Sequence, residues 1–221
     1  MNFPLLLSQG IRVVVVTKGR TIDEIRDVLD RGLMDIGENR LPASRTGRQE
    51  AMEKLSEFPS GITKHFIGRL QTNKVREAVR LFDMIQSVDR LPLAQKIEEE
   101  CSKIGKIMPV LIQVNTSNES QKGGCRPEEA VGLAAAISAL PHLELQGLMT
   151  VALESKDPEK VRPCFKTLKR LFDEIAVLQL PHTHLRWLSM GMSDDYKIAL
   201  EEGANMLRIG RLLFNDFSRR L

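Results

Sequence analysis

Eight short apolar runs alternate with helical stretches along the chain, and this alternation narrows the possible folds more than any other feature. The runs are "RVVVVTK", "MDIGEN", "KHFIGRL", "DMIQSVD", "MPVLIQVN", "LELQGLMTV", "LRWLSMG" and "NMLRIGRLLF". Between them lie seven segments with helical periodicity, among them "IDEIRDVLDRG", "RQEAMEKLSEF", "NKVREAVRLF", "LPLAQKIEEECSKIG" and "DPEKVRPCFKTLKRLFDEIAVL". Val13 to Val16 show no polar alternation, as expected of a parallel strand buried on both faces. Eight strands and seven helices in 221 residues are the count of a (β/α)₈ barrel. A doubly wound sheet usually stops at about five or six strands. The expected architecture is a single-domain α/β TIM barrel over residues 1–221, with its core at about 11–214. No Pro/Gly/Ser-rich linker divides it. The one long polar connection, residues 115–129, is of the kind that is often functional or mobile.

Composition excludes several function classes. The net charge of +3 arises from 32 basic and 29 acidic residues, intermixed and accompanied by few aromatics, which gives nucleic-acid binding little support. Cys101, Cys125 and Cys164 are far apart and odd in number, which fits neither a disulfide framework nor a metal site and points to a reducing compartment. "HTH" at 182–184 lacks the partner spacing that zinc needs and reads as a loop. Trp187 and the methionines read as core, and the "EEE" run at 98–100 as a solvated helix face. No stretch of ~18 apolar residues and no basic leader occurs, so the expected location is the cytoplasm, without membrane contact.

In barrels of this kind chemistry gathers at the C-terminal strand ends, where the loops converge. Lys18 closes the first strand. A lysine partly desolvated there favours its neutral, nucleophilic amine, which can attack a carbonyl; the plain alternative is a lysine that snorkels to solvent. "LSMGMSDD" supplies Ser189, a glycine and Ser193, the latter placed as N-cap of the helix after strand seven. "RIGR" supplies Arg208, Gly210 and Arg211. Two such loops after strands seven and eight read as a phosphate cup, although Asp194 and Asp195 would repel an anion unless they turned outward.

An amine facing a phosphate cup suits pyridoxal phosphate, and at this point a family resemblance becomes specific. "VVVVTKGRTIDEIRDVLDRGLMDIGENR", "HFIGRLQTNKV", "IQSVDRLPLAQKI", "VLIQVNTSNESQKGGC", "LQGLMTV" and "LSMGMSDDYKIALEEGANMLRIG" resemble the pyridoxal phosphate homeostasis proteins. These are small relatives of the alanine-racemase barrel, fold type III among pyridoxal-phosphate proteins. The resemblance runs from about Arg12 to Phe214. It implies an internal aldimine between pyridoxal 5'-phosphate and Lys18, with Ser189, Ser193, Gly210 and the amide of Arg211 on the phosphate. It also implies that Arg208 faces the pyridine nitrogen, with Asn39 and His65 as neighbours, though His65 reads equally as a satisfied core histidine. An arginine keeps that nitrogen unprotonated and makes the ring a poor electron sink, so such a site holds the cofactor more readily than it uses it.

The implied function is storage or delivery of the cofactor without turnover, by a cytoplasmic monomer that serves apo pyridoxal-phosphate enzymes. The alternative is an amino-acid racemase, which needs a second acid/base; the chain has one tyrosine, Tyr196, and no residues left over for a further β-domain. A cofactor-free Schiff-base aldolase is a third reading. The chain departs from the family pattern in having Thr17 for the usual Ser before the lysine and Arg211 for the usual Thr or Ser. "RLPASRTGRQEAMEKL" is longer than the usual link, and the helix before strand one looks nearly absent, which would leave the barrel floor uncovered.

Overall fold

The computed structural model describes residues 3–41, 58, 61–119, 121–155 and 157–215. Its strands are β1 (Arg12–Val16), β2 (Asp35–Glu38), β3 (Thr63–Phe66), β4 (Met84–Val88), β5 (Met108–Gln113), β6 (Leu143–Met149), β7 (Thr183–Ser189) and β8 (Met206–Ile209). Each pairs in parallel with the next, and β8 returns to β1, so the sheet closes into a barrel in chain order. The helices are α1 (Phe3–Ser8), α2 (Ile22–Leu29), α3 (Val75–Leu81), α4 (Leu91–Ser102), α5 (Ala130–Ser138), α6 (Pro158–Ala176), α7 (Tyr196–Glu201) and α8 (Arg211–Asn215). The helix expected over "RQEAMEKLSEF" falls, apart from Phe58, outside the described residues.

Local chemistry starts and stops these elements. α2 opens on a capping box in which Thr21 accepts from the Glu24 amide and Glu24 returns to the Thr21 amide. α6 starts with Asp157 as N-cap and Pro158 at its first position, where a missing N–H costs nothing. The thin β7–β8 seam has one register pair, Ser189 with Met206, and Asn205 reinforces it. Its side chain accepts from the Leu188 amide at 2.7 Å and donates to the Arg186 carbonyl at 2.6 Å.

Val14, Met84, Leu111, Met149 and Met206 form a separate apolar cluster of their own, and the larger core contains Ile25, Val79, Ile97, Ile137 and Leu168. Truncating such a residue to alanine costs about 2–5 kcal/mol. Phe3 and Leu6 of α1 are buried against β1 and the core, so the short first helix covers apolar surface that the sequence reading left open. The connection at 115–129 is pinned: the Asn115 amide donates to the Cys125 carbonyl at 2.8 Å and Gln113 donates to the Gly123 carbonyl at 2.9 Å. No described helix is long and apolar enough to cross a membrane.

The "EEE" run is not one solvated face. Glu98 holds His142 at 2.6 Å, Glu100 is buried and paired with Lys96 and Lys103, and only Glu99 is exposed.

Candidate functional site

Lys18 stands just beyond β1 in a turn closed by the Arg20 amide, which donates to the Thr17 carbonyl at 3.2 Å. Gly19 takes φ +70° there, a conformation that other residues adopt only under strain. Both sides of the turn are anchored. Thr17, fully buried, donates its hydroxyl to Glu38 at 2.7 Å, a bond that a serine could equally make. Arg20 pairs with Glu24 at 3.0 Å and lies over the Phe214 ring at 4.5 Å, linking this loop to α8. Lys18 itself is exposed. The partial desolvation expected of it is therefore absent, because the turn carries it clear of the apolar interior.

The loop after β7 depends on Gly191, at φ +95°. A Cβ there would lie 2.7 Å from Ala199 Cβ and 2.9 Å from Leu207 Cδ2, forcing α7 away from β8. The helix starts later than expected, at Tyr196, with Asp195 rather than Ser193 in the N-cap position. Asp195 is turned back to accept from the Met192 amide at 2.6 Å, and this closed turn leaves Ser193 in the loop. The Ser193 hydroxyl instead accepts from the Leu212 amide at 3.4 Å, joining the loops after β7 and β8. Burial pushes the Asp195 carboxyl pKa up, against the Met192 amide and the Arg208 charge, which both favour the carboxylate. Asp194 is exposed and ion-paired with Arg211. Gly210 packs against β1, where an added Cβ would sit 3.3 Å from Val16 Cβ.

Arg208 is the buried cation of the site, 4% exposed. Its Nη1 donates to both the carbonyl and the hydroxyl of Ser189 at 2.8 Å, and its Nη2 to the Thr150 carbonyl at 2.6 Å. These are neutral oxygens, and Arg208 makes no hydrogen bond to a carboxylate among the described residues. Burial pushes its pKa down to about 10, opposed by Asp195, so it stays charged at neutral pH. Ser189 is fully buried and its hydroxyl donates to Gln86 Oε1 at 2.6 Å.

Asn39 follows β2 and, with Arg40, Phe66, Arg69, Leu70 and Lys74, lines a cleft of about 460 Å³. His65 is a satisfied core histidine, fully buried between Asp35 at 2.8 Å and Gln86 at 2.9 Å. His184 lies on β7 rather than in a loop and meets Glu144 at 2.9 Å. Sequence reasoning missed Gln86 and gave Thr150, a polar residue at the end of strand six, no role of its own. A polar residue inside the apolar run "MIQSV" was the available signal for Gln86.

A closed parallel barrel with an amine after its first strand, an arginine inside its last strand and two joined loops between them defines a class. The sequence matches the family described as alanine racemase, N-terminal domain, over residues 43–216. A pyridoxal phosphate homeostasis protein of Aquifex aeolicus is 40% identical over 196 residues, 87% of this chain and 81% of that protein. Its namesake in Escherichia coli strain K12 is 34% identical over 218 residues, 96% of this chain and 89% of that one. The chain belongs to the pyridoxal phosphate homeostasis protein family. Among solved structures, Synechococcus elongatus PipY without PLP superposes with a TM-score of 0.85 at 31% identity, covering 96% of this chain and 97% of that one. PipY with PLP bound gives 0.82 at 29% identity, with the same coverage. A Clostridium difficile alanine racemase shares the fold, at TM-score 0.74 and 19% identity, and this chain covers 53% of it.

Proposed function

We propose that this barrel binds pyridoxal 5'-phosphate and stores or delivers it without catalytic turnover. The observation that carries the reading is Arg208: a buried guanidinium held only by neutral oxygens, on the last barrel strand. A buried charge whose hydrogen bonds all go to neutral oxygens is costly even with the Asp195 carboxyl near enough to favour it, and an acceptor nitrogen supplied by a ligand would offset part of that cost. The residues fit the cofactor. Lys18 would hold its aldehyde; Ser193, Gly210 and the Arg211 amide its phosphate; Arg208 its pyridine nitrogen; and Asn39 would lie beside the ring. When bound, the cofactor supplies an electrophilic aldehyde able to accept amines.

The rest follows from that site. Ser189 supports Arg208 instead of touching phosphate, and the Arg208 cation leaves the pyridine nitrogen without a proton. Retention, rather than withdrawal of electrons from an amino acid, is what such a partner favours. The chain would act as a one-domain cytoplasmic monomer with apo pyridoxal-phosphate enzymes as recipients, and with no role for nucleic acid. The experiment is reconstitution with pyridoxal phosphate, followed by absorption spectroscopy and equilibrium dialysis. A yellow, stoichiometric complex supports the reading, and a colourless protein with no retained cofactor contradicts it.

A further inference from the structure

Inside the barrel, the polar atoms from Asp35 to Arg208 form one hydrogen-bond chain with a single consistent direction. Asp35 Oδ1, ion-paired to Arg12 at 3.2 Å, lies 2.8 Å from His65 Nε2, so that nitrogen carries the ring hydrogen. Nδ1 then accepts from Gln86 Nε2 at 2.9 Å, and Met206 Sδ takes a further hydrogen from the same amide at 3.2 Å. With its NH₂ so engaged, Gln86 presents Oε1 to the Ser189 hydroxyl, which donates to it at 2.6 Å. The Ser189 lone pairs remain to accept from Arg208 Nη1 at 2.8 Å. His65, Gln86 and Ser189 are each no more than 1% exposed, so water does not compete for these bonds.

The geometry points to Gln86 as a positioning residue for Arg208. By drawing the Ser189 hydrogen toward β4, Gln86 keeps that hydroxyl from turning its O–H onto the guanidinium. Arg208 is thereby held in one rotamer, with its unused N–H groups left for an acceptor. The inference rests on the cofactor reading given above: what Gln86 sets is the donor that the pyridine nitrogen meets. It also gives a role to a buried glutamine and a buried histidine that the direct contacts with the cofactor leave unexplained.

The test is a double-mutant cycle on the full chain, read by pyridoxal phosphate affinity and by the position of the bound cofactor's visible band. Gln86→Met keeps the volume and removes the chain. It should weaken binding roughly 5- to 20-fold and shift the band, as should Ser189→Ala. In an Arg208→Met background, Gln86→Met should add less than about twofold, because it acts through Arg208. An unshifted band with unchanged affinity in Gln86→Met, or effects that simply multiply, would overturn the assignment. Wild-type protein that retains no cofactor would instead sink the cofactor reading itself, before any variant is compared. If Gln86→Met does not fold, nitrogen-15 NMR of wild-type His65 decides. A hydrogen on Nε2 supports the direction of the chain, and one on Nδ1 overturns it.

Discussion

Arg211 and Asp194 form an ion pair that joins the loops following β7 and β8, with both side chains exposed. The pair disposes of one difficulty in the sequence, an aspartate beside a proposed anion site, by turning it onto the cation next to it. It also means that Arg211, which stands where the family usually has a hydroxyl, does not offer its full charge to a phosphate. Asp194→Asn should release that charge and tighten pyridoxal phosphate binding about 2- to 5-fold at low salt, with the gain lost at high salt. Titration at two ionic strengths checks it. An affinity unchanged at low salt would place Arg211 away from the phosphate.

Gly191 should be the least replaceable glycine of the site. Its φ of +95° and the 2.7 Å approach to Ala199 Cβ predict that Gly191→Ala costs about 2–4 kcal/mol in urea unfolding. Gly210→Ala meets Val16 at a looser 3.3 Å and should fold nearly normally; a bulky residue there should weaken cofactor binding more than folding. A Gly191→Ala variant as stable as wild type would contradict the described packing of α7 on β8.

The cysteines make an alkaline prediction. Burial pushes the Cys101 thiol up to about 11 and the Cys125 thiol up to about 12, from an ordinary value near 9. On raising the pH above ~9 the unfolded chain releases these protons first, so it binds fewer protons than the folded chain and stability falls. Chemical denaturation from pH 8 to 11 should show that decline, and Cys125→Ala should flatten it. At pH 8 a thiol reagent should leave both residues unlabelled until the protein unfolds. Fast labelling of the native protein would contradict their burial.

Arg208 bears on turnover. With an arginine at the pyridine nitrogen, incubation with L-alanine in deuterated water should give α-proton exchange no faster than free pyridoxal phosphate does. Exchange faster by several orders of magnitude, and abolished in Lys18→Ala, would favour the racemase alternative.

The barrel was legible because each strand announces itself locally: Val13 to Val16, "MPVLIQV" and "LELQGLM" are short and rich in apolar residues, and each is followed by a helical pattern or turn residues. What escaped was decided by distance or by close competition. Ser193 and Asp195 are both good capping residues, and the choice of Asp195 rests on a backbone turn at Met192 that no spacing rule reveals. Lys18 was found by position, but its exposure depends on how the Thr17–Arg20 turn projects. The chain through His65, Gln86, Ser189 and Arg208 joins residues of β3, β4, β7 and β8, which meet only once the barrel closes.

Attachment of the cofactor at Lys18 can be read by borohydride reduction at substoichiometric pyridoxal phosphate, followed by mass mapping. Reduction should leave a single pyridoxyl group on Lys18, and none in Lys18→Ala. Label on Lys74 or Lys122 with Lys18 free would contradict it.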